Sequence, residues 1–377
     1  MKIVLIAGEV SGDKHAAELA LAIKEREPQA ELFGLGGDFM RQAGVKLWDD
    51  VTARSSIGLT ESLRHVLPLR QVFKKVMAHI EEEKPAVVVL VDYQGFNVQM
   101  AKALKKIKMP TLYYFAPQYW IWATWNAKGL CRLVTRILAT FPQEARTYEK
   151  VGGTVSYVGH PLLDFTKSRF QTKEEAKAYF GLKQRYVVGL FPGSRIQEID
   201  NHLDLIFSAA RRLNMLLNHE IDFILPVALE QFRPKIEERI LRYDLKVHLV
   251  THDYYEAIQA ADLIYCSSGT STLEISIMGT PLVVFYKLTN LSYLIGRLLI
   301  RFPYASLPNI VMERRAVPEL IQLQANPEKL AQVGWELLVD DEKRAAHLKI
   351  LAEIKSRLGE PGAVGRAAEV VLAQACG

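Results

Sequence analysis

The side chains best suited to holding an anion stand in two short segments. The first, Phe191-Pro192-Gly193-Ser194-Arg195, follows an apolar run. Gly193 lets backbone come close to a ligand, Ser194 can donate to a phosphate oxygen, and Arg195 can grip an oxyanion through two parallel N–H bonds. The competing reading is an ordinary turn whose surface arginine pairs with Glu198. The second segment, 266–272, is small or hydroxylated throughout and leads into a helical pattern that carries Glu274. Such residues at a helix start are built to donate hydrogen bonds to a diphosphate. Glu274, one turn further, can accept from both hydroxyls of a ribose; the structural alternative is a first-turn carboxylate favoured by the helix dipole. Together the two segments point to a nucleoside diphosphate in the second half of the chain.

A different chemistry is available in the first half. Asp92 follows the uninterrupted apolar run Val87–Val91, as a strand buried on both faces would read. A carboxyl at the end of such a strand can serve as a general base, and its alternative is a cap for the next helix. The turn Gly8-Glu9-Val10-Ser11-Gly12-Asp13 is rich in glycine, but it is not a GxGxxG fingerprint. Its two carboxylates would repel a pyrophosphate, so a sugar or acceptor loop fits better than a dinucleotide site; the alternative is a plain strand-to-helix turn. Tyr113, Tyr114, Phe115, Tyr119, Trp120, Trp122 and Trp125 crowd around Pro117. Aromatic faces suit sugar rings or acyl chains, although core packing is their commoner use. His160 reads as structural. No GxSxG elbow, Walker sequence or metal-ligand spacing is present, so neither a metal nor a cofactor is expected.

These residues need elements to hold them. Short apolar runs alternate with helical patterns, which signals βα units and parallel sheets. Helices are expected over 14–27, 63–83 and 98–106 in the first half, and the second half repeats the scheme. With 377 residues, two domains are expected, as two doubly wound α/β halves with a cleft at the carboxyl ends of their strands. The first is placed over 1–160 and the second over 161–344, with the helices of 345–377 as candidates to pack back on the first. The net charge of +5 favours anionic ligands or an anionic membrane surface and is too small to demand nucleic acid. Cys131, Cys266 and Cys376 lie far apart, which suits a reducing compartment. The uncharged stretch 109–127 contains two prolines and several polar groups, so it reads as a buried strand and an aromatic loop, not a span. A cytoplasmic protein with peripheral membrane contact is expected. Two basic apolar stretches, 64–80 and 291–304, have the composition of bilayer-surface helices, with a core helix as the alternative.

The ordered set of motifs resembles the lipid-A-disaccharide synthases, inverting glycosyltransferases of the GT-B fold with two Rossmann-like domains. The resemblance rests on GEVSGD at 8–13, IGLTESL at 57–63, VDYQGFN at 91–97, YFAPQYWIW at 114–122 and VGHPLLD at 158–164. It continues through FPGSR at 191–195, SSGTSTLE at 267–274, SLPN at 306–309 and VPELIQ at 317–322. It implies transfer from UDP-2,3-diacylglucosamine to 2,3-diacylglucosamine 1-phosphate (lipid X), giving a β-1,6 bond and UDP. It also implies work at the inner face of the inner membrane; a second copy of the chain is a candidate partner. By the same resemblance Asp92 is the candidate base and Arg195 a diphosphate ligand. Ser268, Gly269 and Thr270 line the diphosphate, Glu274 holds the ribose, and Asn309 lies on the nucleotide side. Glu9, Ser11, Asp13 and Glu61 belong to the acceptor side. Where the family has Ala-Pro-Asp after the base, this chain has Tyr93-Gln94-Gly95, which leaves Asp92 to act alone. A UDP-GlcNAc 2-epimerase, another UDP-sugar transferase, or an inactive UDP-sugar or lipid binder remain the alternatives.

Overall fold

The computed structural model describes residues 1–50, 66–121, 123–287 and 304–377, with the backbone alone for 66–69. The expectations for Glu61, for Trp122 and for nearly all of 291–304 fall outside the described residues. The chain divides into two units: residues 1–164 with 360–377, and residues 165–359.

The first unit is built on a seven-stranded sheet in the order β3-β2-β1-β4-β5-β6-β7. Its strands are β1 (Lys2–Ile6), β2 (Glu31–Gly36), β3 (Lys46–Asp50), β4 (Val87–Val91), β5 (Thr111–Tyr114), β6 (Arg136–Ala139) and β7 (Val155–Tyr157), all pairing in parallel. Successive side chains alternate between faces. Ile3, Leu5, Val87, Val89 and Val91 therefore join one core cluster, while Val4, Ile6, Val88 and Leu90 join another. Both faces of β1 and β4 are covered, which is why these strands read as unbroken apolar runs.

The second unit has a six-stranded parallel sheet in the order β10-β9-β8-β11-β12-β13. Its strands are β8 (Tyr186–Phe191), β9 (Ile221–Pro226), β10 (Val247–Val250), β11 (Leu263–Ser267), β12 (Leu282–Tyr286) and β13 (Glu319–Ile321). Val188, Leu190, Phe223, Leu225, Leu263 and Tyr265 pack against Ile206, Phe207 and Leu213 of the helix Ile196–Leu216. Each such side chain contributes about 1.5–3 kcal/mol when fully buried.

In each unit the strand order reverses once: between β1 and β4, and between β8 and β11. Ligands of open α/β sheets bind at the carboxyl ends of the strands flanking such a reversal. Gly8 to Asp13 and Asp92 follow the first pair of strands, and Phe191 to Arg195 and Ser268 to Glu274 follow the second.

The end of the chain differs from the sequence expectation. The helix Asp341–Arg357 stays with the second unit, packed on the helices Thr270–Met278 and Leu307–Met312. Only the helix Ala363–Cys376 returns to the first unit, where it lies along the helix Val10–Arg26. Asp164 fixes its start by accepting from the N–H groups of Gly362 and, at 3.2 Å, Val364. No described helix is long and apolar enough to cross a membrane.

Candidate active site

Asp92 stands where β4 ends, and the chain turns there through two consecutive left-handed residues, Asp92 (φ 51°) and Tyr93 (φ 46°). A left-handed conformation at a residue other than glycine costs about 1–3 kcal/mol and persists only when its surroundings enforce it. Two donors enforce it. Asn97 Nδ2 and Tyr113 Oη each donate to the Asp92 carbonyl at 2.9 Å. Asn97, fully buried, also donates to the carbonyls of Ile6 (3.3 Å) and Val91 (3.2 Å), which ties the ends of β1 and β4 together. The Asp92 carboxylate is half-buried and accepts from Ser11 Oγ at 3.2 Å. Two glycines make this approach feasible. A Cβ on Gly8 would fall 2.1 Å from the Tyr93 ring, and one on Gly12 would lie 3.3 Å from Asp92 Cβ.

Ser11 is therefore brought to Asp92. Glu9 is exposed at the start of the helix Val10–Arg26; burial, and after it the Glu9 charge, push the Tyr93 phenol above its ordinary range. Asp13 is placed otherwise. It is 1% exposed, and its carboxylate accepts from the N–H groups of Gly37 (2.7 Å), Phe39 (3.0 Å) and Met40 (3.2 Å). It caps the next turn of chain and offers no surface to an acceptor. The aromatic segment also goes largely inward: Tyr113, Tyr114, Tyr119 and Trp120 are buried, and among its described residues only Trp125 is well exposed. Phe115 is stacked on His15 at 4.1 Å and edges His160 at 6.2 Å. His160 accepts at Nδ1 from the Leu162 N–H, and burial lowers its pKa to about 3, so it stays neutral.

In the second unit Arg195 begins the helix Ile196–Leu216 and its side chain is 80% exposed. Its nearest carboxylate is Glu198, at 3.7 Å. Glu198 also accepts from the N–H groups of Ser194 (2.9 Å) and Arg195 (3.2 Å). Gly193 (φ 122°) makes room for this, since a Cβ there would fall 2.3 Å from Glu198 Oε2. The glycine thus serves a cap on the helix, and Ser194 and the Arg195 guanidinium are left exposed to solvent. Beneath the loop, His202 bridges Pro192 and Lys287. Its Nδ1 is 2.8 Å from the Pro192 carbonyl and its Nε2 accepts from the Lys287 N–H at 3.2 Å, which fixes the proton on Nδ1.

Ser268 spends both its donors inside the unit: its N–H goes to the Phe285 carbonyl at 3.1 Å and its hydroxyl to the Ala305 carbonyl at 2.8 Å. The helix Thr270–Met278 begins just beyond, and its first N–H groups are without intrahelical partners by geometry. Glu274 accepts from Tyr254 Oη at 3.1 Å and Tyr255 Oη at 3.0 Å. A cavity of about 210 Å³ opens at the ends of β8 to β11, lined among others by Phe191, Gly193, Ser194, Val250, Tyr254 and Ser271.

Asn309 is not at this surface. It is 0% exposed and its amide is committed, accepting from Ala316 and Val317 N–H (2.8 Å each) and donating to Glu319 (2.9 Å). Glu319 in turn holds the N–H groups of Ala305 and Ser306 at 2.9 Å each. Asn309 therefore stands behind the Ala305 carbonyl that orients Ser268. Glu319, Tyr254, Tyr255 and His202 were not among the expected site residues. VPELIQ at 317–322 marked the first of them; the others carry no motif. Among the described residues no three His, Cys, Asp or Glu side chains gather as a metal-ligand set.

The family model described as lipid-A-disaccharide synthetase matches residues 3–371. The lipid-A-disaccharide synthase of Syntrophus aciditrophicus is 38% identical over 375 residues, covering 98% of this chain and 97% of its own. That of Synechocystis sp. is 37% identical and covers 99% of this chain and 97% of its own. Among solved structures, the UDP-GlcNAc 2-epimerase of Neisseria meningitidis, bound to UDP-GlcNAc, superposes with a TM-score of 0.68 at 15% identity, over 99% of this chain and 100% of that one. MurG of Acinetobacter baumannii gives 0.62 at 13% identity, over 99% of each. At such identities the likeness defines the fold alone, and it is GT-B. The sequence matches go further: the chain belongs to the lipid-A-disaccharide synthase family, which makes it a glycosyltransferase of lipid A biosynthesis.

Proposed function

We infer that the protein joins UDP-2,3-diacylglucosamine to 2,3-diacylglucosamine 1-phosphate with inversion, releasing UDP. The observation that carries this reading is a family match running from residue 3 to 371, with the candidate groups at the reversals of both sheets. Asp92 takes the proton from the acceptor 6-hydroxyl as that oxygen attacks the anomeric carbon from the face opposite UDP. Ser11, on the Asp92 carboxylate, and the exposed Glu9 belong to the acceptor side; Glu61 is kept there on the sequence resemblance alone.

UDP leaves with the bonding electron pair. Its diphosphate meets Arg195, Ser194 and the first N–H groups at Gly269 and Thr270, and Glu274 takes the ribose. Preorganised groups of this kind are each worth ~3 kcal/mol of barrier. The acylated substrates stay in a bilayer while UDP is soluble, so the protein works against an anionic membrane surface.

Incubation with both lipid substrates should release UDP and form the disaccharide 1-phosphate. Turnover of UDP-GlcNAc with no lipid acceptor would favour the epimerase reading instead. UDP binding with no product under any acceptor would favour an inactive binder.

A further inference from the structure

Tyr254 and Tyr255 are consecutive residues at the start of the helix Tyr254–Ala260, which follows β10. Their hydroxyls converge on one side chain from a different element. Tyr254 Oη donates to Glu274 Oε2 at 3.1 Å, and Tyr255 Oη donates to Glu274 Oε1 at 3.0 Å. One phenol per oxygen is a two-point clamp, and it fixes the plane of the carboxylate as well as its position. The phenols are themselves held: the two rings meet edge to face at 5.3 Å, and Tyr254 packs on Phe191 at 5.6 Å. Phe191 and Tyr254 both line the cavity at the ends of β8 to β11.

We propose that Tyr254 and Tyr255 are specificity-determining residues that lock Glu274 to read the two hydroxyls of a ribose. The proposal rests on the reading of Glu274 as the ribose ligand. An ionised carboxylate has about four lone-pair positions. The two phenols hold one position on each oxygen and set the plane in which Glu274 meets two neighbouring hydroxyls. A site built around fixed acceptors rejects an analogue lacking a hydroxyl, because an acceptor is then left unpaired. A carboxylate free to turn would find water instead and discriminate poorly. Burial and the charge of Glu274 push the Tyr254 phenol well above its ordinary range, so it remains a donor at neutral pH.

Calorimetry with UDP, 2′-deoxy-UDP and 3′-deoxy-UDP tests this on the wild type and on Tyr254→Phe, Tyr255→Phe and Glu274→Gln. The wild type should prefer UDP over each deoxy nucleotide by about tenfold or more, the scale of a hydrogen bond to a charged group. Either phenylalanine variant should bring that ratio down to about threefold or less, mainly by weakening UDP. Ratios kept at the wild-type level in both phenylalanine variants overturn the clamp. If Glu274→Gln abolishes the ratio while they keep it, the ribose reading stands and the clamp alone falls. A wild type that does not discriminate, or a Glu274→Gln that discriminates fully, overturns the ribose reading and the clamp with it. Tyr255→Phe removes one oxygen from a half-buried ring, so it keeps the test available if Tyr254→Phe does not fold.

Discussion

Asp92 and Arg195 keep their charged ends available, whereas the Asp13 carboxylate and the neutral Asn309 amide are spent inside the fold. The difference decides which substitutions touch chemistry. Asp92→Asn keeps the size of the side chain and should leave the fold and UDP affinity intact. It should lower turnover roughly 100-fold or more, the usual scale of a lost general base; near-wild-type turnover would remove Asp92 from the mechanism. Arg195→Ala should weaken UDP binding about tenfold or more, and an unchanged calorimetric affinity would reject that placement of the diphosphate. Glu144 makes a different prediction. It is fully buried, accepts from the N–H groups of Thr140 (2.7 Å) and Phe141 (3.3 Å), and burial raises its pKa from 4.5 to about 7. The folded state then holds a proton that the unfolded state releases, so stability is lost as pH rises from 4.5 to about 7. The loss is on the order of 3 kcal/mol. Glu144→Gln keeps the acceptor and should gain on the wild type across that window in denaturant titrations; parallel curves would show Glu144 ionised throughout. His160, lowered to about 3, acts with the opposite sign as pH falls below 6.5, and the comparison of variant with wild type cancels it. Residue types and their place after apolar runs single out Asp92, Arg195 and Glu274 as candidates. They could not show that Asp13 and Asn309 turn inward, because their partners, Gly37 and Glu319 among them, come from other stretches of chain.

Elements were legible where composition is extreme. The Val-rich β4 is buried on both faces and reads as such; the apolar β1 is covered on both faces too. Their helices were not placed as well: the one after β4 runs over Gln94–Lys106, four residues earlier than expected, because the turn at Asp92 and Tyr93 uses left-handed residues with no glycine to mark it. The helix Val66–Glu83 shows the same limit. Its apolar residues suggested a lipid-facing stripe, yet Val72, Val76 and Ile80 enter the core and Phe73 and Met77 pack half-buried against it. Phe73 edges Phe96 at 5.8 Å. Among the described residues of this helix, Arg70 and Lys74 are exposed basic side chains. A contact with an anionic bilayer through this face would be electrostatic, at about 1 kcal/mol per basic residue and screened by salt. Co-sedimentation with phosphatidylglycerol vesicles should fall with rising salt and fall several-fold in Arg70→Glu, Lys74→Glu. Equal sedimentation of that variant would clear the helix of any membrane role.

For the molecule as a whole, the alternation of strand and helix patterns made two doubly wound units legible, but their membership was not. Nothing local in 341–357 tells that helix to stay with the second unit while 363–376 leaves it. The choice is made by packing: Ala367, Ala368 and Val371 enter the same cluster as Ile3, Leu5, Ala16 and Leu19. This has a consequence for the order of events on the ribosome. Residues 1–164 emerge first, but the apolar strip on the helix Val10–Arg26 stays uncovered until the last helix has been made. The earlier-synthesised unit is therefore the later one to finish, and it waits through the synthesis of residues 165–359 with that strip open to chaperones and to other nascent chains. A polypeptide of residues 1–164 should be rapidly cleaved in pulse proteolysis, and a peptide of residues 360–377 added in trans should slow that cleavage. Cleavage as slow as in the full chain without the peptide would show that the first unit closes on its own.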